Sequence, residues 1–113
     1  MTSTKDKRAA FRALHEGGCF VIPNPWDAGS ARMLQHLGFK ALASTSAGFA
    51  WTAGQPDYRV SRAAALGHLS LLSAAVDLPV NADFESGFAA TPEGVVESVR
   101  LAVQAGVSGL SIE

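Results

Sequence analysis

The stretch "PVNADFESGF" at residues 79–88 places two carboxylates, Asp83 and Glu85, directly after a short apolar run and just before a glycine. Charged side chains are seldom buried in a strand unless they are paired, so packing alone does not explain them. The segment 80–83 predicts a β-strand, in which alternate side chains face opposite ways. Asn81 and Asp83 would then share one face, with Asp83 at the carboxyl end of the strand.

The same type of short apolar run recurs along the chain, separated by segments with helical periodicity. Strands are predicted at 19–24, 40–45, 80–83 and 108–113; helices at 5–18, 27–36, 61–77 and 91–106; and long loops at 46–57 and 84–90. Asp27, Ser61 and Thr91 are the expected N-caps, and Pro92 suits the first position of a helix. Repeating strand–helix units predict an α/β fold with a parallel sheet covered by helices.

Two architectures fit this order. A small doubly wound sheet can be complete near this length of 113 residues, whereas a (β/α)8 TIM barrel needs about 250 residues. A complete small binding domain would have a further helix after the fourth strand, and none follows. This counts against the first architecture, while in the second, residues 1–113 would supply only about the first half of the barrel, preceded by an N-terminal helix.

Composition narrows the class of protein. The formal net charge is −1, so no basic face for nucleic acid or an anionic membrane is expected. No apolar run approaches the ~20 residues of a membrane span, and the N-terminus lacks the apolar core of a signal peptide. The single Cys19 excludes an internal disulfide and fits a reducing compartment. These features predict a soluble cytoplasmic protein.

Polar side chains follow the predicted strands at their carboxyl ends, where parallel α/β folds place their sites. The acids are Asp57, Asp83, Glu85 and Glu113, and the hydroxyls are Ser44, Thr45 and Ser46. Clustered carboxylates are either protonated, neutralised by a cation or solvated, and oxygen ligands select Mg²⁺ or Mn²⁺ over zinc. The hydroxyls could equally bond to the local backbone of a turn. The histidines, His15, His36 and His68, fall in predicted helices, and we expect them to lie away from these loops.

Four stretches together carry a family resemblance: "PNPWDAGSAR" (23–32), "STSAGFAWTAGQPD" (44–57), "PVNADFESGF" and "AGVSGLSIE" (105–113). In their order and spacing the chain resembles the isocitrate lyase/phosphoenolpyruvate mutase superfamily. The resemblance implies a (β/α)8 barrel, usually a homo-tetramer, in which residues 1–113 would form a single domain that is the first half of the barrel and is truncated after the fourth strand. It also implies an enzyme that makes or breaks a C–C or C–P bond beside a carboxylate, through a pyruvate enolate held on Mg²⁺.

The resemblance also implies roles for individual residues. Asp83 matches the acid that contacts the metal most directly, Glu85 stands where a second Asp is common, and Glu113 matches the acid that holds metal-bound water. Asp57 matches an acid near metal and substrate, so Asp57 and Glu113 are the catalytic candidates. Residues 44–46 match the segment that grips the carboxylate of a small carboxylate or phosphonate substrate.

The branch of the superfamily is left open by the residues present. In the lyase branch, a gating loop with a catalytic cysteine would begin beyond Glu113, and Cys19 is in the wrong place to substitute. The leading hypothesis is C–C cleavage of a small 2-hydroxy di- or tricarboxylate, as in a 2-methylisocitrate lyase. Alternatives are a phosphoenolpyruvate or carboxyphosphonoenolpyruvate mutase, an oxaloacetate hydrolase or decarboxylase, and a half-barrel that is catalytically silent on its own.

Overall fold

Three parallel strands and five helices make up the computed structural model, which describes residues 1–113. In chain order the elements are α1 (Thr4–Leu14), α2 (Ala28–His36), β1 (Leu42–Ala43), α3 (Ser46–Thr52), α4 (Arg62–Ala75), β2 (Val80–Asp83), α5 (Pro92–Gln104) and β3 (Gly109–Ser111). The strands lie side by side in sequence order, β1–β2–β3, and both pairings are parallel. The predicted α/β class with a parallel sheet is confirmed.

The helices that cover the sheet begin where the capping residues predict. The side chains of Asp27, Ser61 and Thr91 each accept a hydrogen bond from the backbone N–H three residues on. Pro92 is the first residue of α5, where its missing N–H costs no helical bond. These starts are local features of the chain, so the sequence specifies them well.

The strand predicted at 19–24 does not form. The segment runs beside β1, but its backbone makes a single hydrogen bond, from Ala43 N–H to Pro23 O at 3.0 Å. Pro23 and Pro25 have no N–H to donate, so a continuous ladder cannot be built. Asn24 adds a side-chain bond to Ala43 O at 3.0 Å. The prediction of four strands was therefore wrong by one, although the segment keeps its place at the sheet edge.

The prediction of a loop at 46–57 was also partly wrong, because the first half of this segment is helix α3. Thr45 caps this helix, and Gly48 allows the cap to pack closely. A Cβ on Gly48 would lie 2.6 Å from Thr45 Cγ2, which no side chain could occupy without a shift. The short turn of helix therefore starts immediately after β1.

The hydrophobic core lies on one face of the sheet. One cluster contains Ala31, Leu42, Leu72, Val76 and Val80, and a second contains Leu69, Ala82, Phe84, Ala102 and Val107. Along β2, buried and half-buried residues alternate, so Val80 and Ala82 face the helices while Asn81 and Asp83 face the opposite side. This pleat carries Asp83 away from the core.

Helix α1 closes the end of the sheet opposite Asp83. The buried Lys7 ammonium donates to Ser73 O and Val76 O at the end of α4, both at 2.6 Å. Arg8 donates to Val103 O and Val107 O at the end of α5. Cations suit these positions because the C-terminal end of a helix carries partial negative charge. None of the helices has the length and apolar character needed to cross a membrane.

Candidate functional site

Asp83, the last residue of β2, is held by the segment that follows β1. Its carboxylate oxygen Oδ2 accepts a hydrogen bond from Ser46 N–H at 3.0 Å. Its own backbone N–H donates to Ser44 Oγ at 2.9 Å. The ladder brings the two together, because Ser44 N–H also donates to Asn81 O at 2.8 Å. The second carboxylate oxygen of Asp83 makes no hydrogen bond within the chain and is free for a ligand.

The three hydroxyl residues of the 44–46 segment have different uses. Ser44 is buried and supports Asp83. Thr45 Oγ1 accepts from Gly48 N–H at 3.1 Å, so this hydroxyl serves the local backbone, which was the alternative interpretation of the segment. The Ser46 hydroxyl makes no hydrogen bond within the chain, which leaves it available to a ligand beside Asp83.

Glu85 is buried beside Asp83 and is held in an uncommon backbone conformation. Its φ is 54°, a left-handed value that side-chain-bearing residues rarely adopt. Glu113 N–H donates to Glu85 O at 2.8 Å and helps to hold this turn. Burial raises the pKa of the Glu85 carboxyl, and the negative charges of Asp57 and Asp83 raise it further. Strain and a buried acid at one residue are typical of functional sites.

Tyr58 lies within electrostatic reach of four acids. Its φ is 67°, and its N–H donates to the carboxylate of Asp57 at 3.0 Å. Desolvation raises the pKa of the Tyr58 hydroxyl, and the carboxylates also raise it. In order of effect these are Glu113, Asp57, Glu85 and Asp83. These are the four acids predicted at the strand ends, and the position of Tyr58 among them was not predicted.

The carboxylates do not converge as a closed metal cage. No three His, Cys, Asp or Glu side chains lie close enough together to hold a metal ion between them. Mg²⁺ does not need such a cage, since it keeps several waters and takes one or two protein carboxylates. The free oxygen of Asp83 beside the buried Glu85 fits that kind of oxygen-only ligand set. The three-ligand set of Asp83, Glu85 and Glu113 stays a prediction.

His68 lies at this site, and the expectation that all histidines lie away from it was wrong. Its ring stacks on Phe49 of α3, with centroids 3.9 Å apart and planes 11° apart. Burial lowers the pKa of His68 to about 4, against a smaller opposing effect of Asp27. The signal was present in the sequence, because His68 follows Ala65 by three residues and precedes Leu72 by four. Those spacings place it on the buried side of α4.

The family follows from comparison with known proteins. The model of the phosphoenolpyruvate phosphomutase family matches residues 11–113. The chain belongs to this family. The match covers both the segment that follows β1 and the carboxyl end of β2, so the site described above lies within it.

Solved structures support the same superfamily. A protein of Burkholderia cenocepacia described as a lyase/mutase is 54% identical with a TM-score of 0.94, over 96% of this chain and 40% of that one. A protein of the same organism described as a phosphonomutase is 37% identical with a TM-score of 0.91, over 97% and 44%. A 2,3-dimethylmalate lyase of the PEP mutase/isocitrate lyase superfamily is 27% identical with a TM-score of 0.81, over 99% and 39%.

The chain also covers only part of the curated relatives that it matches. An uncharacterised protein of Mycobacterium tuberculosis is 34% identical over 100 residues, which is 88% of this chain and 37% of the relative. The chain thus spans about two fifths of the length of the proteins it matches. The suspected superfamily and the fold of an initial part of its barrel are confirmed.

Proposed function

We propose that this chain provides the cation- and carboxylate-binding part of a Mg²⁺- or Mn²⁺-dependent lyase or mutase that acts on a small carboxylate. One observation carries the proposal. Asp83, at the carboxyl end of β2, is bonded to Ser44 and Ser46, keeps one oxygen free, and has the buried Glu85 beside it. Membership of the family supports the same assignment.

The residues of the chain would act mainly by positioning and by charge. Ser46 N–H keeps the Asp83 carboxylate oriented through its hydrogen bond to Oδ2. The hydroxyls of Ser46 and Tyr58 would serve as hydrogen-bond donors to a substrate carboxylate at this rim. A bound divalent cation would supply Lewis-acid stabilisation of negative charge that develops on a substrate oxygen.

The excess of acids also predicts the order of binding. Asp57, Asp83, Glu85 and Glu113 would repel an anionic substrate in the absence of a cation. A cation bound first reverses the sign of the local charge, so an anionic carboxylate can then enter. We therefore expect substrate affinity to depend on the concentration of free Mg²⁺.

We propose C–C cleavage of a 2-hydroxy di- or tricarboxylate, of the 2-methylisocitrate type, as the reaction. A second candidate is a C–P mutase reaction on a phosphonate, because a relative described as a phosphonomutase is 37% identical over 97% of the chain. The two reactions place the same demand on these residues, which is stabilisation of negative charge beside a carboxylate.

The test uses the complete gene product with Mg²⁺. Pyruvate released from 2-methylisocitrate is measured through lactate dehydrogenase, and phosphoenolpyruvate formed from phosphonopyruvate is measured through pyruvate kinase and lactate dehydrogenase. We expect one of the two activities, its loss in EDTA and its loss in Asp83→Asn. The proposal fails if neither substrate is converted at saturating Mg²⁺, or if Asp83→Asn retains full activity.

A further inference from the structure

A small cavity lies beneath the site, between α4, the first turn of α3 and the carboxyl end of β2. Its volume is about 20 Å³. The polar lining residues are Ser44, Thr45, Ser46, His68, Asp83 and Glu85. About 10–15 Å³ is enough for one water molecule, provided that two to four polar groups can bond to it. This cavity meets both requirements for a single water.

His68 presents an unpartnered nitrogen to this region. The residue is only 8% exposed, and its Nε2 is buried without a hydrogen bond. The plane of the ring is held by stacking on Phe49, with the centroids 3.9 Å apart. A buried polar atom without a partner is costly, and native structures usually satisfy such an atom with protein or ordered water.

Glu85 presents a second unpartnered group on the wall of the same cavity. It is 5% exposed, and no donor within the chain bonds to its carboxylate. Its backbone carbonyl accepts a hydrogen bond from Glu113 N–H, which holds the residue in place. A neutral imidazole and a carboxyl group are complementary partners for a water, which can donate and accept at once.

We propose that His68 is a positioning residue, and that one water in this cavity joins its Nε2 to the carboxyl group of Glu85. The stacked ring of Phe49 fixes the imidazole, the imidazole fixes the water, and the water fixes the Glu85 side chain. Through this link helix α4 controls where the second acid points beside Asp83. The consequence for cation binding rests on the proposed function, whereas the water contact does not.

The contact is tested by a crystal structure of the complete gene product at a resolution that shows ordered waters. We expect one water within about 2.7–3.2 Å of both His68 Nε2 and a carboxylate oxygen of Glu85. A cavity that contains no water, or a water that does not contact Nε2, overturns the proposal. This measurement needs neither Mg²⁺ nor substrate, so it stands if the proposed function fails.

The positioning role is tested by Mg²⁺ titration calorimetry on two variants. His68→Phe keeps the stacking ring but removes the nitrogen, and we expect Mg²⁺ affinity to fall about 10-fold or more, as for other groups that orient a metal ligand. His68→Gln restores a polar group at the cavity and is expected to recover most of the affinity. The matched control is His36→Phe, which makes the same change on an exposed ring and should bind Mg²⁺ as the wild type does.

Two outcomes overturn the role of His68. One is a folded His68→Phe variant with wild-type Mg²⁺ affinity, with folding checked by circular dichroism. The other is an equal loss in His68→Phe and His68→Gln, which would indicate a packing role for the imidazole ring. If His68→Phe does not fold, the wild-type crystal structure and the Gln variant decide.

Discussion

Acidification is expected to destabilise the protein through His68. Burial lowers the pKa of this imidazole to about 4 in the folded state, from an ordinary value of 6.5. Between these two values the unfolded chain binds the proton more readily than the folded one, so stability is lost as the pH falls through this window. One pKa unit corresponds to about 1.4 kcal/mol, so lowering the pH from about 7.5 to about 5 should cost about 2 kcal/mol.

Other groups also titrate, and their effects on stability add to that of His68. The pKa of Glu85 is raised, so its effect has the opposite sign and favours the folded state on acidification. The pKa of Asp27 is lowered by its hydrogen bonds to Ser30, so this residue adds to the loss at lower pH. Because Glu85 and Asp27 are present in both proteins, the comparison of wild type with His68→Phe isolates the contribution of the imidazole to the pH dependence of stability.

The assay is urea unfolding, followed by far-ultraviolet circular dichroism, of the wild type and His68→Phe at both pH values. The wild type should lose about 2 kcal/mol more than the variant between about pH 7.5 and about pH 5. His36→Phe removes an exposed histidine and should follow the wild type. Equal losses in the wild type and His68→Phe would refute the reasoning, because they would show that the imidazole does not resist protonation in the folded state.

Three further changes test other parts of the structure. Asp83→Asn should abolish Mg²⁺ binding in calorimetry without changing the circular dichroism spectrum. The control is Glu93→Gln, which changes an exposed acid on α5 and should bind Mg²⁺ normally. Unchanged binding in Asp83→Asn would remove Asp83 from the cation site. Lys7→Met should lower the free energy of unfolding by about 2–3 kcal/mol, because two bonds to the end of α4 are lost; an unshifted urea midpoint would argue against this. Thr91→Ala should cost about 1 kcal/mol through loss of the α5 cap, whereas Thr91→Ser should retain most of it; equal stability of the two variants would contradict the capping role.

Local features of the chain were predicted well because their physical causes are local. The caps at Asp27, Ser61 and Thr91 depend on a side chain and a backbone N–H three residues away. The β2 strand depends on alternation within four residues, and the same alternation placed Asp83 on the face opposite the core. Each of these inferences needs only the periodicity of a helix or a strand.

The missed features depend on partners distant in sequence. The segment at 19–24 has the apolar residues of a strand, but Pro23 and the following Pro25 prevent a ladder with β1. Helix α3 was taken for a loop because its glycine has low helix propensity. It forms because Thr45 caps it and because Phe49 finds a stacking partner in His68, 19 positions further along the chain.

By itself the sequence determined the parallel strand–helix order and the identity of the acids at the strand ends. Short-range periodicity and capping specify the elements, and the carboxyl ends of parallel strands always meet at one edge. Only the tertiary structure decided what these groups contact. In the folded chain Asp83 is hydrogen-bonded to Ser44 and Ser46, Glu85 is buried at a left-handed turn, and His68 lies beside the site. Those contacts depend on how β1, β2 and α4 pack together, and no local sequence pattern encodes that packing.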